Sequence, residues 1–197
     1  EENDTFGLRT FDEKQNMIIT CRGTTNLVDW FNNINCVLVE YNIGRVHRGY
    51  FKNLLTIIKN YNLEIDSSTK NVYVLGHSSG GGKAILLGYY LANKHKEKKI
   101  NIVVFGTPKM ANNIFYDNLD SKKNMNFVSI RLQDDIIPYL GRGYNPENKT
   151  IILKPHSYCI NPVTAHSMKR YILELDLEDS HFNLNDYLVN SQYSLLI

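Results

Sequence analysis

The five residues Gly76-His77-Ser78-Ser79-Gly80 constrain this chain more than any other feature. They follow directly on the apolar run at 71–75 and lead into a helical pattern over 79–95, apolar at first and charged toward Lys94–Lys99. A G-x-S-x-G turn between strand and helix holds its serine on a strained backbone. Glycines two before and two after remove the side chains that would collide there. The helix that follows aims its N-terminal amides, and the positive end of its dipole, at the oxygen of a carbonyl that the serine attacks. Such a turn can alternatively cradle a phosphate or carry no chemistry. The strand-turn-helix context favours a nucleophile elbow, with Ser78 as the nucleophile.

The rest of the pattern fits a sheet around that elbow. Residues 5–10 and 17–21 read as two short strands around the polar turn 11–16, and 36–41 as another. Residues 50–61 predict an amphipathic helix with Phe51, Leu54, Leu55, Ile58 and Tyr61 on its apolar face. Strand-like runs follow at 100–105, closed by Gly106-Thr107-Pro108, and at 127–132, with a helix over 111–119 between them. Short strands are expected at 151–153 and 157–160, then a helix over 167–177 with Tyr171, Ile172 and Leu175 together. Strands alternating with helices predict an α/β fold, a mostly parallel central sheet with helices on both faces. The opening hairpin adds antiparallel strands at one side. With 197 residues and no linker, repeat or low-complexity block, one domain over 1–197 is expected.

Composition removes several classes of function. Lys+Arg 22 against Asp+Glu 20 gives a formal charge of +2, so no basic field points to nucleic acid. A hydrophobic share of 43% with 21% charged residues excludes disorder of the whole chain. No run of 18 apolar residues predicts a transmembrane helix. Glu1-Glu2-Asn3-Asp4 is not a signal peptide, and the sequence lacks an initiator Met. Localisation therefore stays open, with secretion one outcome if a leader precedes residue 1. Cys21, Cys36 and Cys159 are too few and too scattered for a zinc site or a disulfide framework, and no metal or cofactor is expected.

A serine hydroxyl needs a base, and the base needs an orienting carboxylate. In this chain order the acid lies past a later strand, on the edge where the serine emerges. Gln133-Asp134-Asp135-Ile136-Ile137-Pro138 meets that requirement after the strand at 127–132. Position alone does not choose between Asp134 and Asp135.

Five segments now carry a resemblance to the class 3 lipases, the fungal triacylglycerol lipase family with the α/β-hydrolase fold. Ile18-Ile19-Thr20-Cys21-Arg22-Gly23-Thr24 with Asp29-Trp30 is similar to the family's strand, R-G-[ST] turn and D-W signature. Val46-His47-Arg48-Gly49-Tyr50 resembles V-H-x-G-F, residues 76–84 resemble G-H-S-L-G-G-A-L-A, Phe105-Gly106-Thr107-Pro108 matches F-G-x-P, and Asp135-Ile136-Ile137-Pro138 matches D-[IV]-V-P. The resemblance implies Ser78 as nucleophile and Asp135, not Asp134, as the triad acid. It further implies that the amides of Thr24 and Ser79 form the oxyanion hole, the Thr24 hydroxyl being an additional candidate donor. Arg22, Asp29 and Trp30 match signature positions read as structural, an Arg–Asp pair bracing the turn that positions Thr24.

Three residues depart from the family pattern: Ser79 and Lys83 stand in place of leucines and Gly82 in place of alanine. Only the Ser79 backbone is needed for an oxyanion. Lys83 costs more if its helix face is buried, though its stem can lie along apolar surface with the ammonium outside.

Residues 25–35 match the family's lid position. A helix there gathers Leu27, Val28, Trp30, Phe31 and Ile34 on one face. The segment is either a short mobile lid or a helix packed permanently on the core. The implied activity is a serine ester hydrolase cleaving acyl-lipid esters, triacylglycerol lipase-like, through an acyl-enzyme. Alternatives are a phospholipase A1, a short-chain carboxylesterase, or a catalytically silent lipase-like domain that binds lipid or a partner. The implied partner is a lipid ester at a lipid–water interface, with peripheral membrane contact.

Six histidines compete for the role of base. His47 precedes Ser78, His77 points away from its neighbour at the elbow, and His95 lies in the charged helix end. His156 comes before the expected strand 157–160, hence on the opposite edge. His166 follows that strand on the edge of Ser78 and opens the next helix. His181 lies beyond that helix, whose ten residues carry the chain back by about 15 Å. Ala165-His166-Ser167 with the later Tyr171 is also loosely similar to the family's H-x-x-x-Y ending. His166 is therefore the expected base and His181 the second candidate.

Overall fold

The computed structural model describes residues 7–23, 37–42 and 44–178. In chain order these form β1 (Leu8–Phe11), β2 (Met17–Cys21), β3 (Leu38–Tyr41), β4 (Gly44–His47), α1 (Arg48–Asn60), β5 (Asn71–His77) and α2 (Ser79–Lys94). There follow β6 (Lys99–Phe105), α3 (Asn113–Asp120), β7 (Met125–Leu132), β8 (Thr150–Leu153), α4 (Pro162–Ala165) and α5 (Met168–Glu178).

Six strands make one sheet in the order β1-β2-β5-β6-β7-β8, while β3 and β4 pair as a separate antiparallel ribbon. Among the described strands of this sheet only β1 runs antiparallel, with Leu8 opposite Thr20. The other five strands are parallel, so their C-terminal ends share one edge. There Cys21 stands opposite Gly76, and His77 opposite Phe105. In a sheet of this kind reacting groups gather where the parallel strands end.

Period-2 alternation sorts the strand residues between two cores. Met17, Ile19, Val72, Val74, Ile100, Ile102 and Val104 face the larger one, with the buried side of α1, α2 and α3. Val103, Val128, Ile130, Leu132 and Leu153 face the smaller one, closed by Tyr171 of α5. Burying one such aliphatic side chain contributes about 1.5–3 kcal/mol. His77 falls in step with Tyr73 and Leu75, on the Tyr171 side.

Four expectations need correction. Helix α1 buries Tyr50, Leu54 and Ile57, while Leu55 is 51% exposed. Its inner stripe is thus one residue round from the predicted one, because Tyr50 reaches α2 at Gly82. A Cβ on Gly82 would stand 2.5 Å from Tyr50 Cε2. On α5, Tyr171 is buried with the polar Glu174, whereas Ile172 is 50% exposed. The strand β4 was not foreseen. Finally, 157–160 is not a strand. Its backbone groups are taken by side chains instead: Cys159 N–H donates to Asp134 Oδ2 (2.7 Å), and Arg170 donates to the Ser157 carbonyl.

Candidate active site

Ser78 joins β5 to α2 with φ 59° and ψ −131°. A residue with a side chain holds such a backbone at a cost of about 1–3 kcal/mol. Hydrogen bonds on both sides impose it: Ser78 N–H donates to Phe105 O (2.9 Å), and Gly81 N–H donates to Ser78 O (3.0 Å). A Cβ on Gly76 would stand 2.3 Å from Gly80 O, and one on Gly80 would stand 2.3 Å from Cys21 O. The G-x-S-x-G spacing is therefore a steric requirement of this turn. Ser79 opens α2, at a position where helix geometry offers its amide no intrahelical acceptor.

Past the end of β7, Asp135 is 0% exposed. Its Oδ2 accepts from His166 Nδ1–H (2.7 Å) and from the Tyr171 hydroxyl (2.7 Å), and its Oδ1 accepts from Ile137 N–H (2.9 Å). Three donors on one buried carboxylate offset its desolvation. Tyr171 also accepts from Leu132 N–H (3.2 Å). Burial, and then the negative charge of Asp135, push its phenol far above the usual range, so it remains a donor. The Cβ that Gly106 lacks would sit 2.9 Å from both Asp135 Oδ2 and His166 Cε1. A proton held on Nδ1 leaves Nε2 as the basic nitrogen of His166. That Nε2 and Ser78 Oγ are both buried, and neither has a hydrogen-bond partner among the described residues.

The chain brings His166 to this point between α4 and α5. Asn161 Oδ1 caps α4 by accepting from Val163 N–H (3.0 Å) and Thr164 N–H (3.2 Å), and His166 N–H donates to Pro162 O (3.0 Å). Behind the ring lies a group that sequence reasoning set aside. His77 Nε2–H donates to the His166 carbonyl (2.7 Å), and the two rings lie 4.6 Å apart at 31°. Burial, and then His166, depress the His77 pKa to about 4. The unfolded chain, near the ordinary value of about 6.5, takes up this proton first as pH falls. Stability should therefore decline between about pH 6.5 and 4. Urea unfolding at pH 7 and 4.5 should show a smaller acid loss in His77→Phe than in wild type, and identical losses would contradict this.

The other predicted residues occupy different places. Asp134 Oδ2 accepts from Cys159 N–H (2.7 Å) and Arg170 Nη2 (2.7 Å), a clamp on the 154–161 loop rather than a partner of His166. His156 Nδ1 is 2.8 Å from Glu174 Oε2. His47 Nδ1 accepts from Gly49 N–H (3.2 Å) and caps α1, and His95 is buried with Nε2 3.1 Å from Leu63 O. Burial raises the Cys21 thiol to about 12, which makes it unreactive. Thr24, Asp29, Trp30, the candidate lid 25–35 and His181 lie outside the described residues.

Lys83 corrects an expectation. It is 7% exposed, and its ammonium lies inside, with Nζ donating to the Arg22 carbonyl (2.9 Å). The first turns of α2 are enclosed all round, so the amine finds a backbone acceptor at the end of β2 instead of solvent. This bond ties the helix after Ser78 to the turn that leads into Gly23 and Thr24. Lys83→Met keeps the stem and removes the donor. It should lower unfolding free energy by about 1–3 kcal/mol in urea titration. An unchanged midpoint would show that the bond adds nothing.

The arrangement presents a hydroxyl at a helix N-terminus on the sheet edge that also carries a carboxylate-oriented imidazole, the parts of a nucleophilic acyl-transfer site. The model of the family Lipase (class 3) matches residues 18–142. Phospholipase A1-II 1 of Oryza sativa subsp. indica is 20% identical over 231 residues, covering 92% of this chain and 59% of its own length. The lipase of Rhizopus microsporus var. chinensis superposes with a TM-score of 0.58 at 26% identity, over 65% of this chain and 48% of that one. The triacylglyceride lipase of Rhizomucor miehei gives 0.56 at 21%, over 68% and 58%, a likeness of fold. The chain thus spans less than two thirds of the length of each. With its family signature running from β2 through the Asp135 turn, on an α/β-hydrolase sheet, this chain belongs to the class 3 lipase family.

Proposed function

We propose that this chain hydrolyses carboxylic esters of acyl lipids, with Ser78 as nucleophile, His166 as general base and acid, and Asp135 as the orienting carboxylate. The observation that carries the reading is the buried Asp135–His166 pair (2.7 Å) on the same sheet edge as a serine held at positive φ. Ser78 Oγ attacks the acyl carbonyl while His166 Nε2 takes its proton. Asp135 stabilises the imidazolium, and His166 then hands the proton to the departing alcohol. Water, deprotonated by His166, releases the fatty acid from the acyl-serine. The oxyanion is assigned to the amides of Ser79 and Thr24. Supporting this, Ser79 opens α2, and Thr24 follows three residues after Cys21, the β2 residue opposite Gly76. No step calls for a metal or organic cofactor. The substrate is met at a lipid–water interface.

A phospholipase A1 is the second reading, favoured by the match to the rice phospholipase over most of this chain. A fluorophosphonate probe tests the common ground. It should label Ser78 in the folded protein, and failure to label would favour a silent lipid-binding domain. Turnover of triglyceride emulsion against phospholipid vesicles labelled at each acyl position then separates the two substrates.

A further inference from the structure

The nucleophile elbow carries a second histidine whose place the proposed reaction does not use. His77 is the last residue of β5, and strand alternation turns its ring toward α5, away from the Ser78 side chain. There its Nε2 lies 2.7 Å from the His166 carbonyl, and its ring lies 4.6 Å from the His166 ring. Tyr171 stands edge-on to the same ring at 5.9 Å. A carbonyl only accepts, so Nε2 must carry the proton.

We propose that His77 is a positioning residue for His166: its N–H holds the His166 carbonyl, and its ring braces the His166 ring between Asp135 and Ser78. The inference rests on His166 being the base in the proposed function.

Two further observations make the contact more than packing. His166 sits in a short link between α4 and α5, and its side chain is fixed at one end only, by Nδ1–H to Asp135. Its Nε2 end has no hydrogen-bond partner among the described residues, so ring orientation depends on what lies against the ring faces and on where the backbone is pinned. His77 supplies both restraints from β5, a central strand that runs directly into the elbow, so the strand that sets Ser78 also sets its base. The charge state fits as well. Among the described residues the groups facing His77 are His166, Asp135 and Tyr171; burial, and then His166, leave it neutral down to about pH 4, against the opposing pull of the Asp135 charge. An imidazolium forming on His166 therefore meets a neutral ring rather than a like charge. Small misplacements of a base cost up to about 10²-fold in rate.

Three variants separate the two restraints. His77→Phe keeps a flat ring without the donor, His77→Gln keeps a donor without the ring, and His77→Ala removes both. Circular dichroism establishes that each is folded. On a soluble p-nitrophenyl ester, Phe and Gln should each lower kcat by roughly 10-fold and Ala by roughly 100-fold, with KM nearly constant. The second readout is the downfield proton NMR signal of the Asp135–His166 bond, assigned by its loss in Asp135→Asn. It should broaden or shift in all three variants, most in Ala. Folded variants with wild-type kcat and an unmoved signal would overturn the proposal. So would lowered melting temperatures with both readouts unchanged, which would mark simple packing. The NMR signal exists whether or not any ester is cleaved. A wild-type protein without hydrolysis would sink the functional reading, while the signal would still decide the place of His77.

Discussion

Ser78→Ala is expected to lower ester hydrolysis on the order of 10⁴-fold or more, to abolish fluorophosphonate labelling, and to leave the protein folded. The size follows from the site. In the proposed function, alanine at 78 removes the atom that would form the acyl-enzyme, and what remains, the helix end at Ser79 and the binding surface, gives only residual catalysis. The fold should survive because Ser78 Oγ makes no hydrogen bond among the described residues, so its loss strands no buried partner there. The backbone bonds that hold the turn, Ser78 N–H to Phe105 O and Gly81 N–H to Ser78 O, do not involve the side chain. A folded alanine variant that still hydrolyses esters at near the wild-type rate would end the proposal for Ser78.

What could be read from the sequence was local. A strained turn writes its demands into adjacent residues, and Gly76 and Gly80 both stand where a Cβ would strike backbone. The buried parallel strands β5, β6 and β7 are continuous apolar runs, and each was placed to within two residues. What escaped was set by contacts from far along the chain. Helix α1 offers two adjacent apolar stripes, and the choice between Leu55 and Tyr50 is made by Gly82 on α2. Residues 157–160 form a short, mostly apolar run that reads as a strand, yet Asp134 and Arg170 take their backbone groups. The strand order that led to His166 included that absent strand. The histidine it singled out nevertheless lies against Asp135, because β8 has already ended and the 154–161 loop, clamped by Asp134, delivers α4 to the same edge. His77 was set aside because alternation turns it from Ser78. The same alternation places it on His166.

Position along the chain could not tell Asp134 from Asp135, nor rank the later histidines by chemistry, and the pairings now make that distinction testable in one set of variants. His166→Ala should reduce turnover by on the order of 10⁴-fold and slow probe labelling equally, since in the proposed function Ser78 is then without a base. Asp135→Asn should approach the same loss with the geometry preserved. The amide fills the carboxylate's place but cannot stabilise the imidazolium, and it favours the wrong tautomer of His166. His156 and Asp134 provide the contrast. His156 pairs with Glu174, and Asp134 with Arg170 and the Cys159 amide, so both hold the loop and neither touches His166. His156→Ala should therefore keep kcat within a few-fold of wild type. Asp134→Asn should cost stability, about 1–3 kcal/mol from a mostly buried charge pair, and change turnover far less than Asp135→Asn. If Asp134→Asn and His156→Ala silenced the enzyme while Asp135→Asn and His166→Ala did not, the base and acid would lie in the clamp on the 154–161 loop.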